Sequence, residues 1–119
     1  MRRAAVASPP ERHGSLRSRG AFSTILGSGS RHRVGGITLA IGPVDSPGPL
    51  VGLVAGRRVG SAVARNRAKR RIRAIMAGLS LRPGFGYVVV ASPAVVTAPH
   101  DELVGWITTA VRKAEERAT

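Results

Sequence analysis

Between Arg57 and Arg73 the chain sets eight basic side chains into seventeen positions without a single acid. Charge that dense repels itself unless a polyanion lies against it. Yet Ala68, Ile72, Ile75, Met76 and Leu79 stand at i, i+4, i+7, i+8 and i+11, which is one face of an α-helix. The fold must therefore offer this helix an apolar support and leave its other side bare. Ser61 is the expected N-cap, and Gly78 loosens the far end. At about 100° per residue, Asn66, Arg67, Lys69, Arg70, Arg71 and Arg73 fan over the remaining arc, with Arg65 at the edge of the apolar face. Val63, Ala68 and Ile72 are expected to hold the helix on its support, so that the basic arc is rigid.

The rest of the chain agrees with a polyanionic partner. No acid occurs between Asp45 and Asp101, where nine basic residues do, and the whole carries 19 basic against 6 acidic side chains, a net charge of +13. Seventeen of the cations are Arg, which grips phosphate bidentately and stacks on bases. A GC-rich genome accounts for much of the Arg-over-Lys choice but not for the missing acids. With no Cys, disulfides and thiolate metal sites are excluded, and a reducing cytoplasm suits the composition. No apolar stretch approaches the roughly 20 residues of a membrane span. His13, His32 and His100 are scattered without ligand spacing. No acidic pair near the basic run could carry general acid–base chemistry, so the chain itself reads as non-catalytic and without a metal.

At 119 residues one domain is expected. Residues 1–13 read as a disordered basic tail and 14–119 as the folded part. Phe22, Ile25 and Leu26, preceded by Leu16, suggest a short helix stopped by Gly27 and Gly29. Ile37, Leu39 and Ile41 alternate as a half-buried strand, and a proline-rich loop leads to a second strand at Leu50–Gly56, with a hairpin the natural pairing. Tyr87–Ala91 is apolar throughout and belongs at the centre of a sheet. Leu103, Trp106, Ile107, Ala110, Val111 and Ala114 mark a final helix. Its acids come first (Asp101, Glu102) and its cations late (Arg112, Lys113, Arg117), matching the helix dipole.

The run Val51-Gly52-Leu53, Arg57-Arg58-Val59-Gly60, Ala62-Val63, then Arg65-Asn66-Arg67-Ala68-Lys69-Arg70 closely resembles the signature of the bacterial ribonuclease P protein subunit. The likeness continues through Tyr87-Val88-Val89-Val90-Ala91 and Pro93, and covers about residues 12–117. It implies an α+β single domain, a mixed β-sheet packed with helices mainly on one face in the order αβββαβα. The resemblance further implies a left-handed βαβ crossover, as in the ribosomal protein S5 domain 2 type. It implies that Arg57, Arg58, Arg65, Asn66, Arg67, Lys69, Arg70 and Arg73 bind the RNA subunit of ribonuclease P. It also implies a cleft between first helix and sheet, at Phe22, Leu26 and Ala40, that takes the 5′ leader of precursor tRNA. Hydrolysis would belong to the RNA and its Mg2+ ions, with no membrane and no obligate protein partner, in the cytoplasm. The chain departs from the family pattern at Leu26 and Ala40, where aromatics are usual, at Ala21, often an acid, and at Ser92, often Arg.

Two other readings are open to a chain of this charge. A structural rRNA-binding protein of ribosomal type would share the composition and a similar small fold. A membrane-active basic helix conflicts with the strands that flank the basic run.

Overall fold

In the computed structural model, residues 14–16, 19–28 and 30–118 are described; the basic tail expected over residues 1–13 lies outside them. The strands are β1 (Gly14–Ser15), β2 (Ser30–Val34), β3 (Ile37–Pro43), β4 (Leu50–Val54) and β5 (Phe85–Ala91). The helices are α1 (Arg19–Ser28), α2 (Ala62–Ala77), α3 (Ala94–Thr97) and α4 (His100–Ala118). Their order contains the expected αβββαβα series, with a two-residue strand added in front and the short α3 before the last helix.

The five strands form one mixed sheet in the order β1-β4-β5-β3-β2. β5 runs antiparallel to β3 and parallel to β4, so it is central, as its unbroken apolar run requires. The hairpin expected between Ile37–Ile41 and Leu50–Gly56 does not form, because β5 lies between those strands. Two physical reasons explain this. The loop from Val44 to Pro49 holds two prolines and is too long for a tight hairpin, whereas Gly35-Gly36 joins β2 to β3 with only two residues. Gly35 takes φ +55°, a left-handed conformation open to glycine. β2 itself carries Arg31, His32 and Arg33, a composition that suits a solvated edge.

Alternation along the strands divides the core in two. Leu39, Ile41, Tyr87 and Val89 face α2 and α4. Ala40 and Val88 face the other way, beneath Ile25 of α1 and Leu16. α4 lies over β2 and β3, and α2 links the parallel neighbours β4 and β5. Three helices thus share one face, and among the described residues α1 and Leu16 cover the other.

A part-buried polar contact helps to fasten α4. The Tyr87 hydroxyl donates to Glu115 Oε2 at 2.6 Å and accepts from the Arg82 amide at 2.9 Å. Burial, then the bond to Glu115, pushes that phenol above its ordinary range. His32 sits under the same helix with its Nε2 buried and unbonded. Burial first, then Arg117 and Lys113, holds its imidazole below the usual histidine value. The unfolded chain therefore binds more protons than the folded one as pH falls through about 6.5, the ordinary histidine pKa. Stability is full above that pH and declines below it. Thermal melts at pH 7.5 and 5.5 are expected to show a smaller loss for His32→Gln than for the wild type; equal losses would remove His32 as the cause.

Candidate nucleic-acid interface

α2 begins where the sequence places it. The Ser61 hydroxyl accepts from the Ala64 amide at 3.2 Å. The preceding 3-10 turn, Arg57–Val59, buries Val59 and leaves Arg57 and Arg58 exposed beside the helix start. Gly78 caps the other end: its amide bonds back to the Ile75 carbonyl and the following Leu79 amide to that of Met76. Ala68, Ile72, Met76 and Ala77 are buried.

Val63 does not hold α2 on the sheet; it is 76% exposed. The helical angle explains the correction. Val63 precedes Ile72 by nine residues, about 900° at 100° per residue, which places it opposite the buried face. The same arithmetic sorts the cations into three flanks. Arg65, Lys69 and Arg73 lie on one side of the buried stripe. Arg67 and Arg70 point outward and share a surface hollow with Val63. Arg71 lies on the opposite flank, toward α3.

Arg71 is not free for a ligand. Its guanidinium donates to the carbonyls of Val95 at 2.7 Å, Val96 at 3.3 Å and Ala98 at 2.6 Å. It thereby satisfies the carbonyl end of α3. Arg71→Ala is expected to cost about 2–3 kcal/mol, as hydrogen bonds from a charged group are lost, and Arg71→Lys to recover only part of that because a point ammonium cannot serve three acceptors in a plane. Chemical denaturation measures both, and a wild-type midpoint for Arg71→Ala would refute the structural role.

On the other sheet face, Phe22 packs on Gly52 so closely that a Cβ at residue 52 would stand 2.5 Å from Phe22 Cζ. Gly52 is what lets the ring sit there. Leu26 is half-buried beside the same cluster, and its carbonyl accepts from Arg31 Nε at 2.9 Å and Nη2 at 2.6 Å. Ala40 is fully buried under α1, so it presents no surface of its own to a ligand. Next to it the cross-strand register runs from exposed Arg33 on β2 through half-exposed Thr38 and Val90 to Val54 on β4. None of these four stands among the site residues expected from the sequence; the available signal was Arg33 alternating with Arg31 on a charged edge strand.

The pocket that contains Phe22 has a volume of about 190 Å³ and is lined also by Leu16, Gly52, Lys69, Arg73 and Met76. Residues assigned from sequence to two separate functions, Phe22 to the leader and Lys69 with Arg73 to the RNA subunit, therefore meet in one place. Among the described residues no group of three or more His, Cys, Asp or Glu is placed to hold a metal ion, and no helix is long and apolar enough to cross a membrane.

A helix held by its apolar stripe, with guanidinium groups outward and an aromatic at the adjoining sheet edge, makes this a nucleic-acid-binding protein of small α+β type. The comparisons say which. The family model "Ribonuclease P" matches residues 11–115. Ribonuclease P protein component of Kocuria rhizophila is 37% identical over 110 residues, covering 91% of this chain and 96% of that protein. That of Acidothermus cellulolyticus is 42% identical over 94 residues, covering 74% and 77%. The chain belongs to the ribonuclease P protein family. The fold matches as well, with a TM-score of 0.74 both to the Staphylococcus aureus RNase P protein (17% identity, 84% of this chain and 94% of that one) and to the Thermotoga maritima RNase P protein (20%, 85% and 97%).

Proposed function

We propose that this chain is the protein subunit of a ribonuclease P holoenzyme. In this reading it binds the enzyme's RNA and helps hold the 5′ leader of precursor tRNA while that RNA, with its Mg2+ ions, cuts the leader away. The observation that carries the reading is the outward arc of α2, where Arg67 and Arg70 stand in a stretch without acids on a helix fixed by buried Ala68, Ile72 and Met76. Guanidinium groups so fixed contact phosphates without paying to order the helix, and Asn66 between them is able to donate to and accept from a ribose or base edge. The membership in the family directs the choice of RNA, and the ribosomal reading has no comparable support among the relatives. Arg57 and Arg58 extend the same basic surface. No proton transfer is assigned to the protein; its work is electrostatic and positional.

Reconstitution tests this. Adding the protein to its cognate RNA subunit at low magnesium is expected to stimulate leader removal from precursor tRNA, because the cations offset repulsion that Mg2+ otherwise screens. Absence of stimulation, with the protein binding rRNA fragments instead, would overturn the proposal.

A further inference from the structure

Among the described residues Val63 is the large apolar side chain left in solvent, 76% exposed. Nothing in the fold asks for an apolar residue there. Val63 lies opposite buried Ile72 on α2, so it supports no core. It does not staple the start of the helix either: with Ser61 as N-cap, the staple position within the helix is Arg65. Helix propensity also disfavours it, since a β-branched residue is poorer than Ala in an exposed turn.

Its neighbours are cations. At 100° per residue, Arg67 lies about 40° to one side of Val63 and Arg70 about 20° to the other, and both are exposed. The three share one hollow with Arg71. Arg71 adds a wall and no free donor, because its guanidinium is held by the Val95, Val96 and Ala98 carbonyls. The hollow therefore combines an apolar patch, a wall tied to α3 and two guanidinium groups that flank the patch.

We propose that Val63 is a specificity-determining contact with the RNA subunit: it packs against the ribose of one nucleotide while Arg67 and Arg70 take the phosphates on either side of that sugar. The inference rests on the holoenzyme reading above and deepens it at one residue.

The order of groups along an RNA strand fits this hollow. A sugar carrying C–H groups alternates with charged phosphates, as Val63 alternates with its arginines. Arg67 and Arg70 are three residues apart, with Cβ atoms about 5–6 Å from each other, so both reach the same strand. No acid lies between Asp45 and Asp101 to offset them or to repel that strand. The two kinds of contact then differ in what they select. Phosphate contacts act at long range and hold any RNA in any register. A van der Waals contact loses a quarter to a half of its strength over a gap of about 0.5–1 Å. Val63 therefore contributes only where the folded path of the RNA brings a sugar onto it, which is recognition of shape.

The test is equilibrium binding of the full chain, over a range of salt, to its cognate RNA subunit and to an unrelated RNA hairpin. Val63→Ala is expected to weaken the cognate RNA roughly 5-fold or more, the scale of two methyl groups left unburied, and the hairpin by less than about 2-fold. The slope of log affinity against log salt should stay as in the wild type, since no phosphate contact is lost. Val63→Lys should tighten the hairpin, by its added charge, and weaken the cognate RNA, by its lost fit. Val63→Ala should melt at or above the wild-type temperature; a lower one would make Val63 structural and overturn the proposal. Cognate binding unchanged by Val63→Ala, or equal effects of either substitution on both RNAs, would overturn it too. A wild-type protein that does not distinguish its cognate RNA subunit from the hairpin would instead refute the reading on which the inference rests.

Discussion

Gly35→Ala is expected to cost roughly 2–5 kcal/mol and to lower the melting temperature by about 10 °C or more. Two independent penalties meet at this residue. Its φ of +55° costs a residue with a Cβ about 1–2 kcal/mol. The added methyl would also land on the Trp106 indole, which lies directly over the turn, and overpacking of that kind costs about 1–3 kcal/mol. The ring cannot simply swing away, because Gly36 touches it too: a Cβ there would meet Trp106 Cζ3 at 2.9 Å. A double-mutant cycle separates the penalties. In a Trp106→Leu background, Gly35→Ala should cost only the conformational part, about 1–2 kcal/mol. An unchanged cost would mean that the indole plays no part. The turn matters beyond its own strands, since it fixes β2 under α4, and α4 is the lid over half the core.

This turn also shows where the sequence was readable and where it was not. The apolar stripes of α2 and α4 were legible because helical spacing is a local property. Ile72, Met76, Leu103, Ile107 and Ala114 are buried as their spacing requires. Strand pairing is not local. Ile37–Ile41 and Leu50–Gly56 are neighbours in sequence, which favours a hairpin, but β5 from much later in the chain displaces that pairing, with Val88 toward α1 and Tyr87 and Val89 toward α2 and α4. Val63 was misplaced for a simpler reason: it adjoins the basic motif in sequence, and only its angle, about 180° from Ile72, reveals its exposure. Arg71 looked like one more cation of the arc. Nothing in the local pattern announces that α3 will bring three carbonyls to it. The close seat of Phe22 on Gly52 was equally hidden, and with it the meeting of Phe22 with Lys69 and Arg73.

Three arginines of α2 that charge density alone does not distinguish give the sharpest separation of roles. Replacing Arg65 and Arg70 together with Ala is expected to weaken binding to the RNA subunit and to flatten its dependence on salt. Each phosphate contact contributes about 0.7–0.9 to the slope of log affinity against log salt concentration, so two lost contacts reduce it by roughly 1.4–1.8. Filter binding or fluorescence titration from low to high salt measures the slope directly. The fold should tolerate the change: Arg70 is exposed and Arg65 only half-buried, and Ala is the best helix former. An unchanged slope would remove both side chains from the phosphate contacts. Arg71→Ala should give the opposite pattern, with a lower unfolding midpoint and, at temperatures where the variant is folded, the wild-type salt slope. Its guanidinium donors are committed to the Val95, Val96 and Ala98 carbonyls, so it should make no phosphate contact and add nothing to the slope. Charge density along the sequence treats Arg65, Arg70 and Arg71 alike; the direction in which α2 turns Arg71 commits that one to the fold.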